Sequence, residues 1–184
     1  ALGLNDPEIE AGLASYAGLP HRMERIAEKN GVLFVNDSKA TNPASSAPAL
    51  AAYPPADGRA RIHWIVGGLP KGEGLGECED WLDHVAHAYT IGEAGPAYAK
   101  LLEARGIAVT RAEMLCEAVP SAIAHAGAGD VVLLSPACAS FDQFRDFEAR
   151  GDNFRQIVAA LTADAGEEID NPCASGALST GGRP

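Results

Sequence analysis

The 184 residues carry 25 acidic against 14 basic side chains, for a net charge of −11, and 47% of them are apolar. That length points to one domain with room for a tail, and the apolar share is enough for a buried core. The charge argues against nucleic acid or an anionic membrane surface as partner, since an acidic chain gains nothing from counterion release; it leaves open a small anion held by a few local cations.

No apolar run is long enough to cross a bilayer, and residues 1–10 lack the basic-then-apolar pattern of a leader. Cys78, Cys116, Cys138 and Cys173 form no C-x-x-C pair, which points to reduced thiols and a cytoplasmic location. The chain starts at Ala1 without an initiator methionine, which suggests a processed or excised piece.

In chain order, Ile9, Leu13 and Tyr16 give residues 6–16 a short helical stripe, closed by a turn at Gly18-Leu19-Pro20. Two strand-like runs, 23–28 and 32–35, flank Asn30-Gly31, a pair that signals a hairpin. A polar loop at 37–42 leads into a helix over 43–52, with Asn42 or Ser45 as cap. A strand at 62–66 ends in Gly67-Gly68, and an acidic, glycine-rich loop then leads to a helix around 79–86. A strand at 88–91, a helix at 94–105 closed by Gly106, a strand at 107–110 and a helix at about 113–126 follow. The most apolar strand is 130–134; residues 135–140 form a loop, and 141–163 read largely as one helix. Beyond 163 the composition turns to Asp, Glu, Gly, Ser and Pro, a disordered tail. Strands alternating with helices predict an α/β, Rossmann-like fold: a mostly parallel sheet flanked by helices, with the hairpin as an antiparallel edge.

Ligands of such sheets sit beyond the carboxyl ends of the strands, where three polar loops fall here. Asn36-Asp37-Ser38-Lys39-Ala40-Thr41-Asn42 combines a cation, a carboxylate and two hydroxyls. Such a set can grip a ribose, a phosphate or a carboxylate, or it is an Asx turn that caps the next helix. Gly67-Gly68-Leu69-Pro70-Lys71-Gly72 offers backbone N–H groups and one lysine, an anion site or simply a flexible loop. In Ser135-Pro136-Ala137-Cys138-Ala139-Ser140, Ser140 and the Phe141 N–H stand where a helix amino terminus would hold a carboxylate, unless Ser140 is only a cap. No P-loop motif occurs, and Cys138 lacks a partner histidine for a nucleophilic role. Asp80, Asp83, His84 and His87 read as one helix face, metal-binding or merely solvated. Arg145, Arg150 and Arg155 read as surface partners of the helix carboxylates Asp142, Asp146, Glu148 and Asp152.

Gly18-Leu19-Pro20-His21-Arg22-Met23-Glu24, followed by the 36–42 loop, resembles the start of a Mur ligase carboxy-terminal domain. Residues 134–144 and Phe147-Glu148-Ala149-Arg150-Gly151 are similar to the branch of that family that adds D-glutamate. The resemblance implies an ATP-dependent ligation in which the carboxylate of UDP-N-acetylmuramoyl-L-alanine becomes an acyl phosphate that the D-glutamate amine attacks. It places Arg22 and Asp37 at the nucleotide, with Lys39, the catalytic candidate, near the phosphates or the incoming amino acid. Thr41 would hold one glutamate carboxylate; Lys71, Ser140 and the Phe141 N–H would hold the other, with Phe147 lining the site. The P-loop and the Mg²⁺ ligands would belong to a central domain, so no metal ligand is expected in this chain, and the chain alone is expected not to turn over. On this reading residues 1–17 are a linker or the end of that central domain, 18–162 the carboxy-terminal domain and 163–184 the tail, in a monomeric protein. Rival readings are another Mur ligase or a folylpolyglutamate synthetase, or a non-catalytic Rossmann-like binding module.

Overall fold

The computed structural model describes residues 3, 5–15 and 18–163. Helix α1 (Asp6–Ser15) comes first and leaves Ile9 45% exposed. The other positions of its expected stripe, Leu13 and Tyr16, lie outside the described side chains, as does the expected tail beyond residue 163.

Six strands build one sheet: β1 (Glu24–Lys29), β2 (Val32–Asn36), β3 (Ile62–Gly67), β4 (Val85–Ile91), β5 (Ala108–Glu113) and β6 (Val131–Leu134). Their order across the sheet is β1-β2-β6-β3-β4-β5. Among the described strands β1 and β2 pair antiparallel, whereas β2–β6, β6–β3, β3–β4 and β4–β5 run parallel. The hairpin turns because Asn30 and Gly31 both take positive φ (54° and 76°), the twist that two-residue connections need. The α/β architecture with an antiparallel edge is the one expected.

Strand residues alternate between two buried faces. Val35, Trp64, Val66 and Leu133 join one core with Leu50, Leu82, Tyr98 and Leu102, contributed by helix α2 (Pro43–Ala51), a 3₁₀ segment (Gly76–His84) and helix α3 (Gly95–Ala104). Phe34, Ile65, Val132 and Leu134 join the other with Leu115, Val119, Phe154 and Ile157, from helix α4 (Leu115–His125) and helix α5 (Phe147–Thr162). Burial on both faces is why the inner strands β2, β3 and β6 read as nearly continuous apolar runs.

Three element readings change, and one choice left open is settled. The helix expected around 79–86 is the 3₁₀ segment Gly76–His84, and β4 begins at Val85, because its residues already pair with β3. The strand expected to stop at 110 continues to Glu113 through its ladder with β4. Of the two caps considered for α2, Asn42 serves: its side chain accepts the Ser45 N–H at 2.9 Å. Helix α5 starts at Phe147 rather than 141, with Asp146 accepting the Ala149 N–H as cap.

At the end of the sheet away from these loops, polar groups are buried in a chain. The Tyr89 hydroxyl lies 3.0 Å from His63 Nδ1 and 3.1 Å from His125 Nδ1, while His63 Nε2 faces Asp130 at 3.4 Å. Burial lowers the His63 pKa, so the ring is held neutral and needs partners rather than charge. Tyr89→Phe leaves a buried imidazole nitrogen unsatisfied and is expected to cost about 1–3 kcal/mol. A urea midpoint unchanged from the parent would show that the chain of hydrogen bonds contributes nothing.

Candidate functional site

The strands β2, β6 and β3 are neighbours, so the three loops at their carboxyl ends emerge side by side. The first loop is pinned by its own side chains. Asp37 is 4% exposed; its Oδ2 accepts the Ser135 hydroxyl at 2.7 Å and its Oδ1 the Met23 N–H at 3.1 Å. Desolvation is the main effect and raises its pKa to about 6, against the opposing pull of those donors and of Arg22. His21 and Met23 adopt positive φ (62° and 47°), and the Lys39 N–H donates to the His21 carbonyl, so the 21–23 segment is folded onto the loop.

Arg22, Asp37 and Lys39 line one cleft of about 330 Å³ with Met23, Ala40, Ala44 and Pro48. The Lys39 ammonium also sits 4.8 Å from the centre of the Phe147 ring. Two cations and a carboxylate in one cleft can meet a phosphate chain and a sugar hydroxyl.

The second and third loops are stitched together. Leu69 and Ala139 exchange both backbone hydrogen bonds at 2.9 Å, and the Gly67 N–H donates to the Pro136 carbonyl at 2.9 Å. Two residues beyond Leu69, Lys71 Nζ donates to Thr41 Oγ1 at 3.0 Å, which brings the first and second loops into contact. Thr41 and Lys71 therefore meet, and Ser140 follows directly on the Ala139 bridge. Lys71 is exposed, Thr41 half-buried and Ser140 buried.

The expected helix amino terminus at Ser140 and Phe141 is absent. The chain makes a tight turn there, with the Gln143 and Phe144 N–H groups donating to the Ser140 carbonyl, and the helix dipole starts only at Phe147. Phe141 is 69% exposed. Phe147 is half-buried, its ring edge-on to His21 and its carbonyl accepting the Ser38 hydroxyl at 2.8 Å.

Two other expectations are corrected. Arg150 is not a surface partner: it is 1% exposed, and its guanidinium donates to Ser38 Oγ, Ser38 O, Cys138 O and Ala139 O. Its helical phase was the missed signal, since Arg150, Phe154, Ile157 and Val158 fall on one buried face. Asp80, Asp83, His84 and His87 do not share a helix face; His84 packs against the Leu50 carbonyl and His87 belongs to β4, stacked on His125. Among the described residues no group of three His, Cys, Asp or Glu is placed to hold a metal ion, and no helix is long and apolar enough to cross a membrane. Burial raises the Cys138 pKa against the opposing pull of Tyr98, to whose hydroxyl oxygen the thiol donates at 3.4 Å.

A family model described as Mur ligase, glutamate ligase domain matches residues 21–138. The chain belongs to the Mur ligase family. It is 63% identical over 175 residues, 95% of its length, to a UDP-N-acetylmuramoylalanine–D-glutamate ligase of Novosphingobium aromaticivorans, and 56% identical over 163 residues, 88% of its length, to one of Sphingopyxis alaskensis. The chain spans 37% of the length of each of these relatives. Among solved structures, a UDP-N-acetylmuramate–alanine ligase of Thermotoga maritima matches 87% of this chain and 35% of its own, with a TM-score of 0.61 at 15% identity. A bifunctional folylpolyglutamate synthase/dihydrofolate synthase of Yersinia pestis, complexed with AMPPNP and Mn, matches 88% of this chain and 36% of its own (TM-score 0.54, 24% identity). At these identities the solved structures show the shared Mur ligase fold alone.

Proposed function

We propose that this Mur ligase domain binds D-glutamate for an ATP-dependent ligase that joins it to UDP-N-acetylmuramoyl-L-alanine in the cytoplasm. The observation that carries the reading is the meeting of Lys71 and Thr41 across two strand-end loops, beside the bridge that leads to Ser140. A doubly negative amino acid needs a cation and hydroxyl donors at fixed separation, and charge-assisted hydrogen bonds supply both attraction and orientation.

The chemistry follows from the weakness of a carboxylate as electrophile. ATP phosphorylates the muramoyl-alanine carboxylate, releasing ADP; the glutamate amine attacks the acyl carbon, and the tetrahedral adduct expels phosphate to leave the amide. Lys71, Thr41 and Ser140 hold the glutamate carboxylates so that the amine faces the acyl phosphate, a positioning role. Arg22 and Lys39 meet nucleotide phosphates, and Asp37 accepts a sugar hydroxyl at the cleft wall through a lone pair not used by Met23 or Ser135. The resemblance places the magnesium ligands in a central domain, and no step here is drawn through the ion.

In the full-length ligase, Lys71→Ala is expected to raise the KM for D-glutamate about ten- to a hundredfold, the worth of one charge-assisted hydrogen bond, with the KM for ATP unchanged. An unchanged glutamate KM would remove Lys71 from the site. The 184-residue chain alone is expected to release no phosphate from ATP in the presence of D-glutamate; robust turnover would show that the ATPase machinery lies within it. Identity to relatives named for D-glutamate ligation favours that substrate over the folate-linked glutamates implied by the more distant fold neighbours.

A further inference from the structure

Arg150 is the largest charged side chain in the interior, and none of its hydrogen bonds goes to a carboxylate. Nε donates to Ser38 Oγ at 2.9 Å, Nη2 to the Ser38 carbonyl at 2.8 Å, and Nη1 to the Cys138 and Ala139 carbonyls at 3.1 and 3.2 Å. Burying a cation whose hydrogen bonds all go to neutral acceptors, with the Asp142 carboxylate near but not bonded to it, is costly, and well-packed apolar residues of similar size often stabilise a fold as well or better. The gain is therefore to be sought in what the rigid fork connects.

It connects the loops of the candidate site. Ser38 lies three residues before Thr41, on the loop after β2. Cys138 and Ala139 lie on the loop after β6, directly before Ser140, and Ala139 is bridged to Leu69 on the loop after β3, two residues before Lys71. Gly68 completes the wall: a Cβ there would come 3.2 Å from Arg150 Nη1. The Ser38 hydroxyl passes the connection on to the Phe147 carbonyl at 2.8 Å. One planar guanidinium thus ties the loops after β2 and β6 directly, and the loop after β3 through the Ala139–Leu69 bridge, while donating to none of the residues that line the Arg22–Asp37–Lys39 cleft.

We propose that Arg150 is the positioning residue of the amino-acid site, holding the strand-end loops at the separation a dicarboxylate requires. This rests on the reading that Thr41, Lys71 and Ser140 bind D-glutamate. Arginine suits the task because its donors are fixed in one plane, whereas lysine offers a single mobile head.

The test is steady-state kinetics of the full-length ligase carrying Arg150→Met, Arg150→Lys or Ser38→Ala, run beside Lys71→Ala. The expected result is a D-glutamate KM raised tenfold or more by Arg150→Met, with the ATP KM within twofold of the parent. Arg150→Lys, which keeps the charge without the fork, is expected to fall between the parent and Arg150→Met. Ser38→Ala, the milder change should Arg150→Met fail to fold, is expected to raise the same KM about threefold with ATP again unaffected. A glutamate KM within twofold of the parent in folded Arg150→Met or in Ser38→Ala, or an ATP KM rising in parallel, overturns the proposal and leaves Arg150 a purely structural group. If Lys71→Ala raises the glutamate KM and the Arg150 and Ser38 variants do not, only the positioning role falls. If Lys71→Ala has no effect either, the amino-acid site itself is wrong and takes this proposal with it.

Discussion

Gly67→Ala is expected to lower the urea midpoint of the chain sharply, the largest effect of any single-methyl addition considered. Gly67 ends β3 at φ 127°, a conformation that L side chains rarely adopt. A Cβ there would drive into the Ile91 carbonyl oxygen and come within 3.0 Å of the Ile91 nitrogen and carbonyl carbon. Those atoms are backbone, held in the β3–β4 ladder, so no side-chain rotation relieves the overlap. Backbone strain of about 1–3 kcal/mol and overpacking of about 1–3 kcal/mol combine in one place. Together they amount to about 2–6 kcal/mol, a large share of a total stability of about 5–15 kcal/mol. Gly72→Ala is the control from the same loop. That glycine is exposed, with nothing within 4 Å of its Cβ position, so its urea midpoint is expected to match the parent within about 0.5 kcal/mol. A normal urea transition for Gly67→Ala would show that the end of β3 yields, and that the loop carrying Lys71 is not held by that close approach.

The same contrast separates what could be read from residue order from what could not. The strands were legible because burial on both faces writes long apolar runs, and the hairpin because Asn30-Gly31 suits only one kind of turn. The three polar loops were legible because the ends of parallel strands collect function, and their convergence follows from β6 lying between β2 and β3. That strand order depends on pairings between distant segments, which local patterns do not encode. Helix α5 was misjudged at its start because Ser140 makes as good a cap in sequence as Asp146 does. The Gln143 side chain settles the matter, donating to the Glu113 carbonyl at 2.7 Å and tying the 140–146 turns to the end of β5. Arg150 was misjudged because neighbouring carboxylates suggested i,i+4 pairing, whereas its phase with Phe154 and Ile157 turns it inward. Arg155, one turn and a half further on, does pair as a charged residue should, with Glu24 of β1 and Asp152. The glycines that matter were visible as letters, but their need for a positive φ appears only when β4 is set against β3.

Asp37→Asn is expected to change the pH dependence of stability more than any other isosteric replacement here. Burial holds the Asp37 carboxyl at about 6 in the folded chain, against an ordinary value of 3.8. The folded state therefore binds the proton more tightly than the unfolded state, and between those two values stability falls as pH rises. The gap of about 2 pH units, at 1.36 kcal/mol each, amounts to about 3 kcal/mol that the aspartate costs at pH 7 and does not cost at about pH 3, below the unfolded value. Asparagine fits the same place: its oxygen can accept the Met23 N–H and its amide can donate to Ser135, with no charge to desolvate. Buried His63 and half-buried His87 oppose this trend, because desolvation lowers their pKa values and protonating them on acidification works against folding. They do so equally in both proteins, so the difference between the two urea-stability profiles isolates Asp37. The asparagine variant is expected to gain about 3 kcal/mol on the parent between about pH 3 and pH 7. Parallel profiles would mean that the carboxylate titrates in the folded chain as it does in the unfolded one. Asp37 would then not be a desolvated anion at the cleft wall, and the acceptor proposed for a sugar hydroxyl would have to be sought elsewhere along the 36–42 loop.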